Sequence, residues 1–261
     1  MRLAVFVYVG VAFVLLERPA APQTPAPSTP TAAFRLIPLP RDLPALRKAF
    51  TADQLGLMER LNRRDLEHLV RPDPPVPGLV APLEWPASDD LVALSPLPAL
   101  FPWAESHAKA LVVHQPWQAF AAYESGRLVR WGPVSTGRRE TPTPSGQFNL
   151  TWRSKGRHST DNAAWFLPWY FNFHNERGVS FHQFDLPGYP ASHACVRLLE
   201  RDAKWLYEWG ESWTLDETGR QILTFGTPVL IVGAYDHGAP PPWINLDAVS
   251  TPVSLTAPSD R

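Results

Sequence analysis

The placement of proline is the feature that most constrains how this chain folds. Of the 261 residues, 30 are proline, and most of them lie in residues 19–44, 72–107 and 236–261. Because proline lacks a backbone N–H and fixes φ, it interrupts helices and central strands. Regular structure is therefore expected mainly in residues 45–71 and 108–235.

Residues 1–18 are typical of an export signal or of an N-terminal anchor. The apolar run Leu3–Leu16 follows Arg2 and is shorter than the roughly 20 residues of a membrane-spanning helix. It matches the apolar region of a signal peptide, and Pro19-Ala20-Ala21 could hold a cleavage site, although retention as an anchor stays open. Residues 19–44 are rich in proline, alanine and threonine and should form an extended spacer.

Composition limits the possible partners. The formal net charge is −1, which gives no reason to expect nucleic acid or an anionic membrane surface as a partner. The hydrophobic fraction of 44% and the 11 tryptophans are enough for one substantial core. We expect an exported protein that contacts a membrane only through its N-terminal segment.

One helix is predicted over residues 51–71. Thr51 and Gln54 form a capping-box pattern at its start, and Pro72 ends it. Apolar residues follow at near-helical spacing, whereas the other face carries Glu59, Arg60, Arg63, Arg64, Asp65 and Glu67. We expect a packing helix with these charges in solvent, and a partner-binding helix is the alternative. Residues 45–107 thus comprise this helix and a Pro-rich connecting segment.

The sequence pattern predicts short strands in the second half of the chain, bounded by glycine, proline and asparagine. Strands are predicted at 110–114, 117–124, 127–131, 147–152, 170–173, 179–183 and 229–233. One helix is predicted at Arg201–Trp209, with Gly210 as its C-cap. The pattern predicts a mainly β domain over residues 108–235, a β-barrel or sandwich with one internal helix. Residues 236–261 read as a loose Pro-rich tail.

Cys195 is the only cysteine of the chain, and His182 and His193 precede it. A lone thiol cannot form an internal disulfide or build a thiolate zinc cage. It can act as a nucleophile when a base removes its proton, or it can fill a small core position. The spacing of His174, His182, His193 and Cys195 fits no common zinc motif, so no metal is expected.

Five motifs follow one another in this half of the chain. They are Val134–Gly137, Thr143–Phe148, Ser192–Arg197, Asp202–Tyr207 and Gly226–Ile231. Their order, with His182 upstream of Cys195, resembles the catalytic domain of the L,D-transpeptidases, the YkuD family. The resemblance spans residues 108–235, about half of the chain, and implies the β-rich fold of that family.

The resemblance also implies roles for individual residues. Cys195 would be the nucleophile and His182 the proton donor and acceptor, with the backbone carbonyl at Gln183 orienting the imidazole. His193 lies two residues from Cys195, so on an extended segment it is a second candidate base, and otherwise a stabilising or positioning residue. The amides of Ala194 and Cys195 are the candidate oxyanion donors.

Arg197 and Ser192 are candidates for binding substrate. Arg197 could bind a carboxylate through a bidentate contact, or it could form a salt bridge to Glu200 or Asp202. Ser192 could hydrogen-bond near the site or cap a turn.

The aromatic run Trp165–Phe173 precedes the first of these histidines. Most of its rings are expected to pack in the core. One or two of them, Tyr170 first, are expected to line the substrate cleft.

Two features depart from the family pattern. Ala194 stands where the family has glycine, which reaches positive φ freely, whereas alanine does so at a cost. The connection from His182 to Ser192 is also shorter than usual for the family. Neither change affects the nucleophile or the base, so an active variant is expected.

The resemblance implies an acyltransferase with a cysteine nucleophile. The expected reaction takes peptidoglycan stem tetrapeptides as partners, cross-links their diamino-acid residues and releases D-Ala without a cofactor. Water as acceptor would give an L,D-carboxypeptidase, and a protein amine would attach a protein to peptidoglycan. A non-catalytic cell-wall-binding module is the alternative of another class. The resemblance further implies inhibition by carbapenems and a periplasmic or wall-facing location.

Overall fold

The computed structural model describes residues 34–86 and 92–258. The predicted export segment and most of the predicted spacer lie outside these residues. Within the described ranges, no helix has both the length and the apolar character needed to cross a membrane.

The described residues form thirteen strands and six α-helices. The strands are β1 (Phe34–Ile37), β2 (Leu79–Pro82), β3 (Lys109–His114), β4 (Ala119–Glu124), β5 (Arg127–Ser135), β6 (Gly146–Asn149), β7 (Arg153–His158), β8 (Phe166–His174), β9 (Val179–Gln183), β10 (Val196–Leu198), β11 (Thr214–Leu215), β12 (Ile222–Thr224) and β13 (Pro228–Val232). The helices are α1 (Leu43–Ala49), α2 (Ala52–Asn62), α3 (Leu66–Val70), α4 (Pro102–Glu105), α5 (Glu200–Trp209) and α6 (Leu246–Val249). Every strand predicted in the second half is present, and the sequence pattern misses β7, β10, β11 and β12.

Strands β6 and β7 are consecutive in the chain but lie at opposite ends of a nine-stranded sheet. The order of that sheet is β6-β13-β3-β4-β5-β10-β9-β8-β7. Residues 150–152 connect its two ends, and so short a segment spans only about 10–15 Å. The sheet therefore curls until its ends meet, where the Thr151 amide donates to the Asn172 carbonyl (2.8 Å) and the Asn172 amide donates to the Trp152 carbonyl (3.0 Å). This closure confirms the predicted mainly β, barrel-like fold.

The central strands are buried on both faces. Along β3, Leu111 and Val113 pack in a core cluster enclosed by the curled sheet and α5. Ala110 and Val112 alternate with them and pack in a second cluster that includes Leu61 of α2. The predicted packing helix therefore covers the outer face of the sheet.

Helix α5 is the internal helix that the sequence predicts. The amide of Gly210 donates to the Leu206 carbonyl (2.8 Å), which confirms Gly210 as the C-cap. Its φ of −68° is not left-handed, so conformational freedom does not explain the glycine. A Cβ at this position would lie within 3 Å of Leu150 and Phe171, so the close approach to the core requires glycine.

The prediction of one helix over residues 51–71 is wrong. The capping box of Thr51 and Gln54 is present and starts α2, but Arg63 adopts a left-handed conformation (φ 57°) that ends it. Just before this break, the side chain of Asn62 hydrogen-bonds to both backbone groups of Val80 in β2. Asp65 then caps a separate helix, α3. Both helices contribute to one apolar cluster, which is why their apolar spacing reads as continuous.

The prediction that the charged face of this helix lies in solvent is also wrong. Glu59, Arg60, Arg63 and Arg64 are all buried. The guanidinium of Arg63 lies between the indole rings of Trp131 and Trp243, at 5.5 and 5.6 Å from their centroids. Its Nε donates to the Trp117 carbonyl (2.9 Å), and burial lowers the pKa of Arg63 to about 9. Arg63 therefore joins the N-terminal helices to the sheet and to the C-terminal segment.

Ion pairs dock α2 on α5 and β5. Arg130 of β5 donates to Oδ1 of Asp202 from Nε (2.9 Å) and Nη2 (2.7 Å), and Nη2 of Arg60 lies 3.6 Å from the same oxygen. Glu59 pairs with Arg201. Because Asp202 is fully buried, removing either arginine partner would leave part of its charge uncompensated.

Two further expectations on the connecting segments need correction. The predicted spacer 19–44 includes strand β1 and the start of α1, and β1 pairs with β2 of the Pro-rich connecting segment. The predicted loose tail holds a 3-10 turn at 242–244 and helix α6. Trp243 of this tail is buried in the second core cluster, the one that includes Leu61 of α2. An indole buries enough apolar surface to fix a Pro-rich segment that has little regular structure.

Replacing Trp243 by alanine tests the packing of this tail. Trp243→Ala is expected to lower the free energy of unfolding by about 3–5 kcal/mol, because it leaves a cavity beside Arg63. Urea denaturation monitored by circular dichroism measures the change. Phe225→Ala is the control, since Phe225 is 70% exposed and its loss should change stability by less than about 0.5 kcal/mol. Equal effects of the two substitutions would contradict the packed tail.

Candidate active site

Strands β9 and β10 bring the sequence-predicted nucleophile and base together. The two strands are parallel, with Arg197 opposite His182. Since side chains alternate along a strand, Ser180 and His182 share one face of β9. Cys195 immediately precedes β10, and its thiol lies on that same face beside Ser180. Ser180 and Cys195, fifteen residues apart in sequence, thus become lateral neighbours in the sheet, and His182 lines the same cavity as the thiol.

The thiol of Cys195 is held by Ser180. The Ser180 hydroxyl lies 3.4 Å from Sγ, and the Gly178 carbonyl lies 3.9 Å from it. Burial raises the pKa of the Cys195 thiol, and the hydroxyl and backbone N–H of Ser180 act in the opposite direction without cancelling that rise. The cysteine is therefore protonated at neutral pH, and a thiolate forms only when a base takes the proton.

The imidazole of His182 is in the state such a base needs. Its Nδ1 lies 3.0 Å from the Gln183 carbonyl, which can only accept, so Nδ1 carries the proton and Nε2 is free to accept one. Burial lowers the pKa of His182 to about 4, although the hydrogen bond to Gln183 acts against this. His182 is thus neutral at pH 7, with its ring oriented by the backbone carbonyl of Gln183.

Ala194 adopts the backbone conformation that its position requires. Its φ is 78°, a left-handed value that costs a non-glycine residue about 1–2 kcal/mol. The Thr143 hydroxyl donates to the Ala194 carbonyl (2.7 Å) and accepts from the Gly137 amide (2.8 Å). Because a trans peptide directs its N–H opposite to its carbonyl, Thr143 also fixes the direction of the Cys195 amide.

The motif Val134–Gly137 supports the connection that leads to Cys195. The Ser135 hydroxyl donates to the Tyr189 carbonyl (2.7 Å), and the Ser192 amide donates to the Thr136 carbonyl (3.0 Å). A side chain at Gly137 would collide with the Thr141 carbonyl, so this contact needs glycine. These bonds give a structural reason for the motif.

Arg197 lies beside the thiol but does not form the salt bridge considered above. Its guanidinium lies 4.6 Å from the centroid of the Phe184 ring, and Nη1 donates to the Asp185 carbonyl (3.4 Å). Asp202 is bound instead by Arg130, as described for the fold. Burial lowers the pKa of Arg197, but it stays cationic at neutral pH.

His193 lies on the side of Cys195 formed by the β7–β8 loop. Its Nδ1 is 3.9 Å from Oδ2 of Asp161, which is the distance of an ion pair and too long for a hydrogen bond. Its ring meets the Trp165 ring edge to face, with the centroids 4.9 Å apart. The ring is partly exposed, whereas that of His182 is buried.

These groups surround one cavity of about 30 Å³. It is lined by Ser159, Asp161, Trp165, Leu167, His182, Phe184, Ser192, His193, Cys195 and Arg197. Five residues selected from the sequence therefore converge at one place.

The prediction that Tyr170 is the first aromatic residue of the cleft is wrong. Tyr170 is buried, stacks on Trp152 with the ring centroids 4.9 Å apart, and donates to the Gly178 carbonyl (3.3 Å). It does not line the cavity, whereas Trp165 from the start of the same run does. The β7–β8 loop, which the sequence pattern does not define, is what turns Trp165 toward the thiol.

Sequence reasoning misses Ser180 and Asp161. Ser180 could have been found, because it lies two residues before His182 on a predicted strand and must share its face. Asp161 gives no such signal, since it lies in a loop whose flanking strand β7 is not predicted. In the described ranges, no group of three histidine, cysteine, aspartate or glutamate side chains is arranged to hold a metal ion.

Comparisons with known proteins find one family and several similar solved structures. Residues 108–231 match the YkuD family, the L,D-transpeptidase catalytic domain. Among solved structures, an L,D-transpeptidase from Stackebrandtia nassauensis is 26% identical, covering 49% of this chain and 57% of that chain with a TM-score of 0.40. One from Mycobacterium tuberculosis H37Rv is 22% identical, covering 48% and 58% with a TM-score of 0.38. Among curated proteins, none matches this chain.

The family match covers the strands that carry the thiol and the imidazole, together with α5. This part of the chain therefore matches a catalytic domain and not only a shared strand pattern. Residues 108–231 belong to the L,D-transpeptidase family, YkuD. The chain spans less than two thirds of the length of the solved structures named above.

Acid is expected to destabilise the fold through His182. Its pKa is about 4 in the folded protein and 6.5 when unperturbed, so the unfolded state binds the proton first as the pH falls. A contribution of about 3 kcal/mol is present above pH 6.5 and is lost as the pH falls to 4. Urea unfolding over this range should show a smaller loss for His182→Gln than for the native protein.

The exposed His237 provides the control, and His237→Gln should follow the native curve. His114, whose burial also lowers its pKa to about 4, accounts for part of the loss that remains in His182→Gln. Parallel curves for the native protein and His182→Gln would show that His182 is not held in its neutral form.

Removing the Ser180 hydroxyl is expected to make the thiol less acidic. Ser180→Ala deletes a hydrogen bond to the thiolate, so the pKa of Cys195 should rise and alkylation by iodoacetamide at pH 7 should slow about threefold to tenfold. The pH dependence of the alkylation rate measures both effects. Ser106→Ala, at an exposed position far along the chain, should leave the profile unchanged. An unshifted profile in Ser180→Ala would contradict the contact.

Proposed function

We propose that this protein is an L,D-transpeptidase that acts on peptidoglycan stem tetrapeptides, joins their diamino-acid residues and releases D-Ala. The observation that carries the proposal is the presence of a partly buried thiol and a neutral histidine in one cavity, within a domain of the transpeptidase family. Cys195 is the proposed nucleophile and His182 the proposed base. No cofactor is needed, because protein groups supply every proton and electron pair that moves.

In the proposed acylation, Nε2 of His182 accepts the thiol proton while Sγ attacks the carbonyl carbon that precedes the terminal D-Ala. The carbon–nitrogen bond then breaks, and the leaving amine takes this proton from His182. The stem remains bound to Cys195 as a thioester. Because burial favours the neutral form of both residues, proton transfer has to accompany the attack.

In the proposed transfer, a neutral amine from a second stem attacks the thioester carbon. The carbon–sulfur bond breaks and its electron pair returns to Sγ. The attacking nitrogen loses one proton to His182, which returns it to the thiolate. The products are the new amide and the restored thiol, so the enzyme is unchanged after one cycle.

The amides of Ala194 and Cys195 are the proposed donors to the oxyanion that forms in both steps. The left-handed backbone at Ala194 and the bond from Thr143 to its carbonyl support this assignment, since they fix the peptide between these residues. Preorganised donors of this kind typically change kcat by about 10²–10³-fold. His193 is proposed to stabilise or position the substrate on the other side of the thiol.

Arg197 is the proposed binding group for a stem carboxylate, and Ser192 is proposed to hydrogen-bond substrate beside it. Both side chains line the cavity. The Arg197 guanidinium stacks near Phe184, which restricts it without neutralising its charge.

We also infer that the protein is exported and works in the periplasm or facing the cell wall. The apolar Leu3–Leu16 supports this, as does a substrate found outside the cytoplasm. Inhibition by carbapenems, which would acylate Cys195, belongs to the same proposal.

The test is mass spectrometry of the full-length protein, in a mild detergent, after incubation with a disaccharide-tetrapeptide. A dimer that has lost one D-Ala is expected, and Cys195→Ala should not form it. Loss of D-Ala without a dimer would instead support the carboxypeptidase. No change in the substrate would contradict the proposal and favour the non-catalytic wall-binding module.

The same assay separates the two histidines. His182→Ala should reduce acylation by about 10²-fold or more, as expected for loss of a general base. His193→Ala should retain more activity, because its ring does not hold the oriented position next to Gln183. Near-normal acylation in His182→Ala together with none in His193→Ala would reverse the two roles.

A further inference from the structure

The β7–β8 loop, residues 159–165, is ordered by its own hydrogen bonds. The Ser159 amide donates to the Trp165 carbonyl (2.9 Å), and the Trp165 amide donates to the Asn162 carbonyl (3.0 Å). The Asp161 amide donates to the Ser159 hydroxyl (3.1 Å). These bonds hold Asp161 and Trp165 at the edge of the cavity that contains the thiol.

Asp161 is the one carboxylate among the residues that line this cavity. Its side chain is 59% exposed, and His193 lies 3.9 Å from it at the cavity wall. Arg197, on the segment that follows the thiol, is the one permanent cation in the same lining. The cavity thus carries one negative and one positive group, of which the proposed chemistry uses only the positive one.

The carboxylate of Asp161 opposes thiolate formation. A negative charge near Sγ disfavours a second negative charge there, and Asp161 does raise the pKa of Cys195. The same charge attracts a cation to the position beside the thiol. The Trp165 ring adds an aromatic surface, to which cations are also attracted.

We propose that Asp161 and Trp165 form a binding subsite for a primary ammonium group of a peptidoglycan stem. This inference rests on the proposed function and extends it, because it names the group that the loop side of the cavity recognises. A diamino-acid residue carries such a group, and it can come from the donor stem or from the acceptor stem. If the acceptor supplies the group, the subsite raises the local concentration of the amine relative to water, and the bound ammonium loses one proton to water before its nitrogen attacks the thioester.

A first experiment measures the subsite without any transpeptidase activity. Cys195 is modified with 2-aminoethyl methanethiosulfonate, which is cationic, and with methyl methanethiosulfonate, which is neutral. The ratio of the two rate constants should fall at least about threefold in Asp161→Asn, since a unit charge is removed from the lining of the cavity that holds the thiol. In the native protein the ratio should also fall with added NaCl.

A control variant and the use of a ratio separate the charge effect from other changes in reactivity. Glu217→Gln removes the same charge from the exposed turn between β11 and β12 and should leave the ratio at its native value. Using a ratio cancels any change in the intrinsic reactivity of the thiol, which Asp161→Asn should increase. Equal ratios in the native protein and Asp161→Asn would overturn the proposal.

A second experiment identifies the source of the ammonium group. For the donor, acylation by a tetrapeptide with a free side-chain amine is compared with acylation by its N-acetylated form. For the acceptor, the acyl-enzyme made from the acetylated donor is partitioned between an added amine and water. The native preference for the free amine should be lost in Asp161→Asn in one of these two arms.

The outcomes of these experiments separate the two proposals. If no donor acylates Cys195, the transpeptidase fails, while the methanethiosulfonate ratio still decides whether the cation subsite exists. If acylation occurs but neither arm distinguishes Asp161→Asn from the native protein, the stem-ammonium subsite is overturned and the transpeptidase stands.

Discussion

The parallel pairing of β9 with β10 is the constraint on which the candidate site depends. Parallel neighbours are usually joined by a long crossover that contains a helix. Here residues 184–195 make the connection without a helix. Such a segment needs support from outside. Ser135 binds it from β5, and Asp65 binds the amide of Leu186 through its carboxylate (2.8 Å) and the Leu186 carbonyl through its own amide (3.1 Å). The corner between α2 and α3 is therefore part of what positions Cys195, and its burial follows from that role.

The electrostatics of the site favour a neutral resting pair. Burial raises the pKa of Cys195 and lowers that of His182, so a thiolate–imidazolium pair is disfavoured at both members. A cysteine activated by a permanently charged partner would react rapidly with thiol reagents at neutral pH. Cys195 instead depends on a base that removes its proton during the attack. Ser180 supplies the nearest compensation, through a hydroxyl that stabilises the negative sulfur. Such a thiol also resists oxidation better than a free thiolate would.

The sequence predicts the parts of this protein whose cause is local. The capping box at Thr51, the strand alternation that carries His182 and the end of α5 at Gly210 each follow from neighbouring residues, and each is present. The unbroken N-terminal helix and the place of Tyr170 in the cleft are wrong predictions, because partners distant in the chain decide both. From the pattern of one helix, the polar residues of α2 are expected to face solvent. In the structure they are buried by rings and carbonyl groups of the sheet and the tail, which the helix sequence does not contain.

Ala194 shows how the site accommodates its departure from the family pattern. The left-handed backbone at this position is demanded by its surroundings, since the Thr143 hydroxyl fixes the carbonyl of Ala194 and the amide of Gly137 fixes that hydroxyl. The methyl group adds about 1–2 kcal/mol of strain relative to glycine, and it packs in the core cluster that the curled sheet and α5 enclose. A strain of this size is smaller than the stability of a typical domain, and hydrogen bonds on both sides of the residue maintain the geometry. Glycine at this position would relieve strain, and alanine leaves the Cys195 amide where the proposed oxyanion needs it.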